Sequence, residues 1–486
     1  MRTLVWFRSD LRAGDNTALW EASRSSADGV VGLYVVSPGD WRRHEVAPAR
    51  VGLILRTLAE LSETLAGLNI PLRIVTAPTP GVVPGAVVEE AVRWRCGRVA
   101  WNIEYEVNEA ARDEATAGLA RARGLEVSTH HDQVVIPPAD IRTGEGRFYT
   151  VFTPFRRAWL AAWAAVGGGG GVGVVPTPTA QRPIGVEGSA VPGSVAGFES
   201  PVGAGRWPGG ERAAGRALDA FAASRIGRYK ADRDYPGIEG TSGLSPYLAV
   251  GAISPRRCVH AALSAGGVEP ARLDGKAFER MPAGPGHWLS EVVWREFYTH
   301  VLVGYPRVCR GRAFQPETDR LAWRDDGAGF EAWCAGRTGV PIVDAAMRQL
   351  LGTGWMHNRL RMVAAMYLTK NLFIDWRRGE SWFMRNLVDG YFASNNGGWQ
   401  WSASTGTDAA PYFRIFNPLS QSRTYDPDGA FIRRWVPELA KVEGDAVHDP
   451  HGAMGLAASR LDYPRPIVDL STSRARAIGA FKALRG

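Results

Sequence analysis

Thr3-Leu-Val-Trp-Phe-Arg-Ser-Asp10 decides how the first part of the chain folds. Thr3 to Phe7 are β-branched, aliphatic or aromatic, which reads as a strand covered on both faces, and a charged turn follows at once. Taken as Thr3–Arg8, this strand is followed by similar runs at Val30–Val36, Leu72–Thr76 and Val99–Ile103. The stretches between them place apolar residues three and four apart, as in Val51, Leu55, Leu58, Leu61 and Leu65, the period of an amphipathic helix. Alternating strands and helices over residues 1–132 imply a parallel sheet with right-handed crossovers. A dinucleotide-binding fold carries Gly-x-Gly-x-x-Gly after its first strand; here Arg8-Ser9-Asp10 stands in that place. The sheet is therefore not expected to hold a dinucleotide by the usual phosphate loop.

Beyond it the composition changes twice. Residues 133–205 are rich in Gly, Pro and small polar residues and read as a long surface connector. The uncharged stretch Ala158–Val175 reaches membrane-spanning length, but Gly167–Gly171 are five glycines in a row, so linker is the better reading. From Gly209 onward helical spacing dominates; in Val340–Trp376 it is broken at Gly352 and Gly354. The expected organisation is an α/β domain over 1–132, a connector over 133–205 and an all-α domain over 206–486.

Charge divides along the same line. Residues 1–204 hold 20 basic and 21 acidic side chains, whereas residues 205–486 hold 37 and 28. The basic half suits a polyanion, because cations set against phosphates release condensed counterions. The four cysteines, Cys96, Cys258, Cys309 and Cys334, stand far apart without a Cys-x-x-Cys pair, as in a reducing compartment. The N-terminus carries charge where a signal peptide needs an apolar core, so a cytoplasmic protein without a membrane span is expected. No His-Glu-x-x-His, Walker or Ser-His-Asp pattern is found, and His448 and His451 are expected at the surface, so no metal site is foreseen.

Three stretches carry more polar and aromatic residues than packing requires. In Glu239-Gly-Thr-Ser-Gly-Leu-Ser-Pro-Tyr247 the hydroxyls of Thr241, Ser242 and Ser245 stand beside Gly240 and Gly243, which allow an anion close to the backbone; a serine-rich helix N-cap explains it equally well. In Trp288-Leu-Ser-Glu-Val-Val-Trp-Arg-Glu-Phe-Tyr298 a helix would align Trp288, Glu291 and Arg295 on one face with Trp294 alongside, although an exposed ion pair over a core stripe accounts for that too. The third stretch comprises Gly354–Met362, Asp375-Trp376, Asp389–Asp408 and Pro411–Pro418. It gathers asparagines, paired glycines and tryptophans within helical surroundings. Neutral amides and aromatic planes suit a planar heterocycle, held at its edge by hydrogen bonds and on its face by stacking.

These stretches resemble DNA photolyases and cryptochromes, most closely the bacterial class I photolyases that repair cyclobutane pyrimidine dimers. The likeness runs from LVWFRSDLRAGDN at Leu4–Asn16 to LDYPRPIVD at Leu461–Asp469. It is most specific in GTSGLSPYLAVGAIS, WREFYTHVL, GVPIVDAAMRQLLGTGWMHNRLRM and NNGGWQWSASTGTDAAPYFRIFNP. The resemblance implies an N-terminal α/β domain with a parallel five-stranded Rossmann-like sheet that carries an antenna pigment. It also implies an all-α C-terminal domain that binds FAD, a monomer, and repair of dimers in DNA by an electron from photoexcited reduced FAD.

Carried over by motif, the cofactor-binding positions are Tyr229, Thr241, Ser242, Gly243, Leu244, Ser245, Trp288, Glu291, Arg295, Asn358, Arg361, Asp389, Tyr391 and Asn395, with Asn395 beside flavin N5. Glu291, Asn395, Trp294 and Trp401 take the catalytic roles, the two indoles packing on the thymines. Arg233, Glu291, Trp294, Arg295, Arg359, Met362, Trp401 and Arg414 match positions that meet DNA, and Trp323, Trp376 and Trp399 match the electron relay. Asn108, Glu109 and Cys309 match a methenyltetrahydrofolate site, although Arg310 replaces its usual lysine; Ala47-Pro-Ala-Arg-Val51 also resembles relatives that bind 8-hydroxy-deazaflavin, the runner-up. Asn358 after His357, and Trp401, favour cyclobutane dimers over (6-4) photoproducts; a blue-light receptor without repair is the alternative from another class. Tyr391 departs from the family, which usually has Asp there.

Overall fold

The computed structural model describes residues 1–166 and 173–484. Five strands, β1 (Thr3–Phe7), β2 (Val30–Val36), β3 (Leu72–Thr76), β4 (Arg98–Asn102) and β5 (Glu126–His130), form one parallel sheet in the order β3-β2-β1-β4-β5. Val5 aligns with Gly32 and Leu4 with Val99 in the central register. β1 and β2 are buried along their whole length, as strands covered by helices on both faces must be. A Cβ at Gly32 would stand 3.1 Å from Leu72 Cδ1 and 3.2 Å from Phe7 Cε2, so glycine keeps this packing close. Where a glycine loop would sit there is instead a buried polar knot. Asp10 accepts from Arg8 N and Asn102 Nδ2, and Arg8 pairs with Asp113 at 2.8 Å.

The chain divides into two compact units that do not follow the compositional bounds. The first comprises Met1–Gly227, Ser242–Pro306 and Val388–Tyr391; the second comprises Arg228–Thr241, Arg307–Leu387 and Phe392–Gly486. The connector reading needs correction, because residues 133–205 contain the helix Phe152–Ala165. Phe152, Phe155, Trp159 and Trp163 recur at helical spacing and are all buried, but the glycines and prolines that follow dilute that signal in a composition window. The linker reading of Ala158–Val175 is corrected over Ala158–Ala165, which belongs to this helix, and its run Gly167–Gly171 falls outside the described residues.

In the second unit the helix Pro341–Thr353 runs through Gly352 and stops at Gly354, whose φ of +68° supplies the left-handed end. Only the second of the two expected breaks is real. The next helix, Asn358–Met366, passes into a wider π-turn, Tyr367–Leu372. His448 is also a correction: it is buried, with Nδ1 2.6 Å from Ser422 Oγ, whereas half-buried His451 directs Nε2 at the carbonyls of Tyr463 and Pro464. Both imidazoles are consumed by polar groups of the C-terminal segment that sequence spacing does not bring together. Cys96, Cys258, Cys309 and Cys334 are free thiols. No helix among the described residues is long and apolar enough to cross a membrane.

Candidate functional site

The helix Ala283–Gly304 carries the first group of predicted residues. Trp288 is buried against Phe221 with ring centres 5.0 Å apart, and half-buried Glu291 lies 3.8 Å from His287 Nε2. Half-buried Trp294 is stacked on Phe152, a residue the sequence reading passed over. Arg295 donates from Nη1 to the Gln133 carbonyl at 2.7 Å, and its guanidinium carbon stands 4.3 Å from the centre of the Tyr391 ring. Tyr391 Oη is hydrogen-bonded to Thr299 Oγ1 at 2.8 Å. Burial raises the Tyr391 phenol above its ordinary range, with Arg295 opposing, so the ring is neutral near pH 7.

Asp389 is buried, and the adjoining Gly390 carbonyl accepts from Arg50 Nη1 while Arg50 Nη2 donates to the Ala249 carbonyl at 3.0 Å. Arg50 of the Ala47–Val51 run is thus engaged with backbone. At the other predicted pigment positions His44 joins two residues: its Nδ1 lies 3.0 Å from Glu109 Oε1 and its Nε2 3.1 Å from Asn108 Nδ2. The hydrogen bond to Glu109 raises the His44 pKa against the effect of burial. Nearby Glu106 is pushed up to about 7 by burial, then by Glu109 and Glu104.

Ser245 opens the helix Ser245–Val250, but the N-cap residue is Leu244, without a side-chain cap. Ser242 Oγ accepts a long 3.4 Å bond from Leu244 N. Gly243 takes φ +67°, and apart from its chain neighbours no atom of the described residues lies within 4 Å of a Cβ built there. Hydroxyls around an open, left-handed glycine fit a phosphate.

The second unit places Asn395, Trp399 and Trp401 on one helix, Phe392–Ala403. Its many amides are accounted for by a row of partners absent from the sequence reading. Asn395 Nδ2 donates to the Glu380 carbonyl at 3.1 Å, Asn396 Nδ2 to Glu380 Oε1 at 2.8 Å, Gln400 Nε2 to Asn396 Oδ1 at 2.9 Å, and Phe314 N to Gln400 Oε1 at 2.7 Å. The links among Glu380, Asn396 and Gln400 cost dearly if broken, because these groups are buried. Beyond the helix's own backbone and the chain neighbours, no atom of the described residues lies within 4 Å of a Cβ built at Gly398, one turn after Asn395.

Trp376 and Trp399 are fully buried and Trp323 is half-buried on Phe373, ring centres 4.9 Å apart. Trp399 meets Phe383 edge-on at 4.9 Å and Trp333 at 6.0 Å, and its Nε1 has no hydrogen-bond partner among the described residues. Exposed Asn358 begins a helix capped by His357, and Arg361 Nε donates to the Met356 carbonyl at 2.9 Å. Buried Tyr229 lies under Arg233 at 5.4 Å. Arg359 is held by Asp234 at 2.9 Å and by the Tyr425 ring at 4.3 Å, whereas Arg414 is exposed. Met362, Trp401, Thr241 and Cys309 are half-buried.

Residues 3–179 match the model of the DNA photolyase domain and residues 288–483 that of the FAD binding domain of DNA photolyase. Deoxyribodipyrimidine photo-lyase of Vibrio cholerae is 42% identical, over 99% of this chain and 100% of its own. That of Escherichia coli is 42% identical, over 99% and 98%. Among solved structures, a bacterial class III photolyase from Agrobacterium tumefaciens superposes with a TM-score of 0.81 at 33% identity, covering 100% of this chain and 98% of its own.

Proposed function

Since the chain belongs to the DNA photolyase family, we propose that it binds FAD and uses light to split cyclobutane pyrimidine dimers in DNA. The observation that carries this is 42% identity with deoxyribodipyrimidine photo-lyases along nearly the whole chain. The reaction makes the chain a carbon–carbon lyase, and the same reading makes it a cytoplasmic monomer.

Ser242, Gly243, Leu244 and Ser245, with Tyr229 and Thr241, hold the FAD phosphates and adenosine. Trp288, Glu291, Arg295, Asn358, Arg361, Asp389 and Tyr391 contact the rest, and Asn395 faces the flavin. A neutral carboxamide at that place can serve a neutral or protonated ring without imposing a charge. Reduced and excited by light, FAD would supply the electron that opens the cyclobutane ring and recover it afterwards.

The protein's own part is placement. Trp294 and Trp401 stack on the two pyrimidines, which must leave the duplex to reach them. Glu291 accepts a hydrogen bond from the dimer's polar edge, and apolar walls exclude water from the charged stage. Arg233, Arg295, Arg359 and Arg414 meet phosphates or the mouth of the pocket, with Met362 beside them. Trp323, Trp376 and Trp399 would relay an electron from a reductant at the protein surface to bound FAD in its oxidised form. Asn108, Glu109 and Cys309 hold an antenna pigment, methenyltetrahydrofolate; engagement of Arg50 with backbone carbonyls supports this over 8-hydroxy-deazaflavin. The test is direct: purified protein, reduced and illuminated, lowers the dimer content of ultraviolet-treated oligothymidine. Dimers that persist in the light at dark levels overturn the proposal.

A further inference from the structure

Phe152 lies parallel to Trp294, with ring centres 3.7 Å apart and planes 9° apart. Two rings left to themselves avoid this face-to-face arrangement, because their like quadrupoles repel and offset or edge-on pairs are preferred. The surroundings must hold it. The helix Phe152–Ala165 is fastened to Ala283–Gly304 along its length: Phe155 meets Phe297 at 5.2 Å and His300 at 4.9 Å, and Trp159 Nε1 donates to Glu296 Oε1 at 2.7 Å. Glu296 is buried and also accepts from Val135 N at 2.7 Å and Ile136 N at 2.9 Å, so the anchor cannot drift without leaving buried donors unpaired. Phe297 then closes the cluster edge-on, 5.9 Å from Phe152 and 5.5 Å from Trp294.

We propose that Phe152 is a positioning residue for dimer recognition, fixing the plane of the Trp294 indole and leaving one ring face for the flipped-out pyrimidine. This rests on the assignment of Trp294 to the dimer made above. Phe152 covers one face, and Tyr298 leans on the indole at 5.6 Å with planes 34° apart, so a base that stacks on Trp294 must use the face away from Phe152. An indole held in advance loses no rotamer freedom when the base arrives. The gain is selective. An intact pyrimidine can stack at many angles, whereas the two rings of a cyclobutane dimer are locked to each other and suit one fixed plane.

The experiment measures dark binding of fluorescent duplexes, one with a single thymine dimer and one intact, to the holoprotein. Phe152→Leu keeps an apolar group but removes the plane. It is expected to lower the preference for the damaged duplex about 2- to 10-fold, the range set by immobilising one side chain. Phe152→Tyr keeps the plane and should keep the preference; FAD content should stay near parental in both, while the lost packing lowers the melting temperature of the Leu variant. In a Trp294→Ala background Phe152→Leu should change nothing further, as two residues acting through one contact require. If Phe152→Leu fails to fold, Phe152→Met is read in its place. A parental preference in the Leu variant, alongside a loss in Trp294→Ala, overturns the role of Phe152 and spares that of Trp294. No loss in Trp294→Ala overturns both.

Discussion

Arg295 covers the face of Tyr391, its guanidinium carbon 4.3 Å from the ring centre. The phenol is a neutral partner for a cation: the ring face attracts Arg295 without taking its charge away. Tyr391→Asp would place a carboxylate there, pair it with Arg295 and leave the hydrogen bond of Thr299 without its phenol. On the proposed reading of this region as cofactor-binding, that negative charge disfavours reduced flavin. The midpoint potential of the Asp variant is expected below that of the parent by tens of millivolts, roughly what one partly paired charge yields at an effective dielectric near 20. Tyr391→Phe, which keeps the ring and adds no charge, should stay close to the parent. Redox titration of the three proteins checks this, and an Asp variant at or above the parent rules it out.

Trp399 owes its position to a missing side chain. A Cβ at Gly379, within the helix Trp376–Asn386, would fall 2.1 Å from Trp399 Cη2 and 2.6 Å from Leu368 Cδ2. Glycine in a helix interior is unfavourable by roughly 1 kcal/mol against alanine, so its presence here serves the indole. Gly379→Ala should therefore destabilise, by about 1–3 kcal/mol from overpacking, despite the better helix propensity. Because the indole must move, it should also slow photoreduction of oxidised FAD. Trp399→Phe should abolish photoreduction yet leave repair intact once the flavin is reduced chemically. Flash photolysis and a urea melt read the two effects separately; an unslowed Gly379→Ala would detach the relay from this packing.

Two arginines assigned to DNA differ in what else they hold. Arg414 is exposed, so Arg414→Ala should weaken binding uniformly across sequences and flatten the salt dependence by about one counterion per phosphate lost. Arg359 is paired with Asp234 and stacked on Tyr425. Its replacement removes a cation and leaves Asp234 only the longer pair with Arg233, at 3.8 Å, among the ion pairs of the described residues, so Asp234 repels phosphate more and Arg359→Ala should lose more affinity than Arg414→Ala. Arg359→Ala with Asp234→Asn should recover part of the loss. Titrations at several salt concentrations decide it; two arginines with identical losses and no rescue would show that Asp234 does not matter.

Strand–helix alternation and the absence of a phosphate loop are local properties, and both were legible in the sequence. Helix Phe152–Ala165 was not, because its aromatic period is short and lies in a region whose average composition is that of a loop. The amides of Phe392–Ala403 drew attention as a group, but their supports, Glu380 and the Phe314 amide, are brought in from distant segments. His44 was invisible for the same reason: nothing in the spacing of residues 44 and 109 says they touch. Lys370 gave no signal at all, since a lysine in an apolar run ordinarily marks the solvent side of a helix.

Lys370 is instead fully buried in the π-turn Tyr367–Leu372. Its Nζ donates to the Ala403 carbonyl and to Ser404 Oγ, both at 2.9 Å, and lies 3.9 Å from the centre of the Phe481 ring. Among the described residues no carboxylate pairs with it, and burial lowers its pKa from 10.5 to about 7. It thus ties the end of the helix bearing Asn395, Trp399 and Trp401 to the C-terminal helix Leu470–Ala483. Between about pH 7 and 10.5 the unfolded chain binds this proton and the folded protein does not, so stability should rise with pH across that window. The rise is at most about 1.4 kcal/mol per pH unit. Below pH 7 the cost of the buried charge is present in full. Lys370→Met removes the titration and leaves the Ala403 carbonyl unpaired, so its absolute stability can lie on either side of the parent, but its curve should lack the rise. Urea midpoints from pH 6 to 10 check this: a parent curve that climbs relative to the Met variant supports the buried charge, and parallel curves would place the Lys370 pKa near its ordinary value.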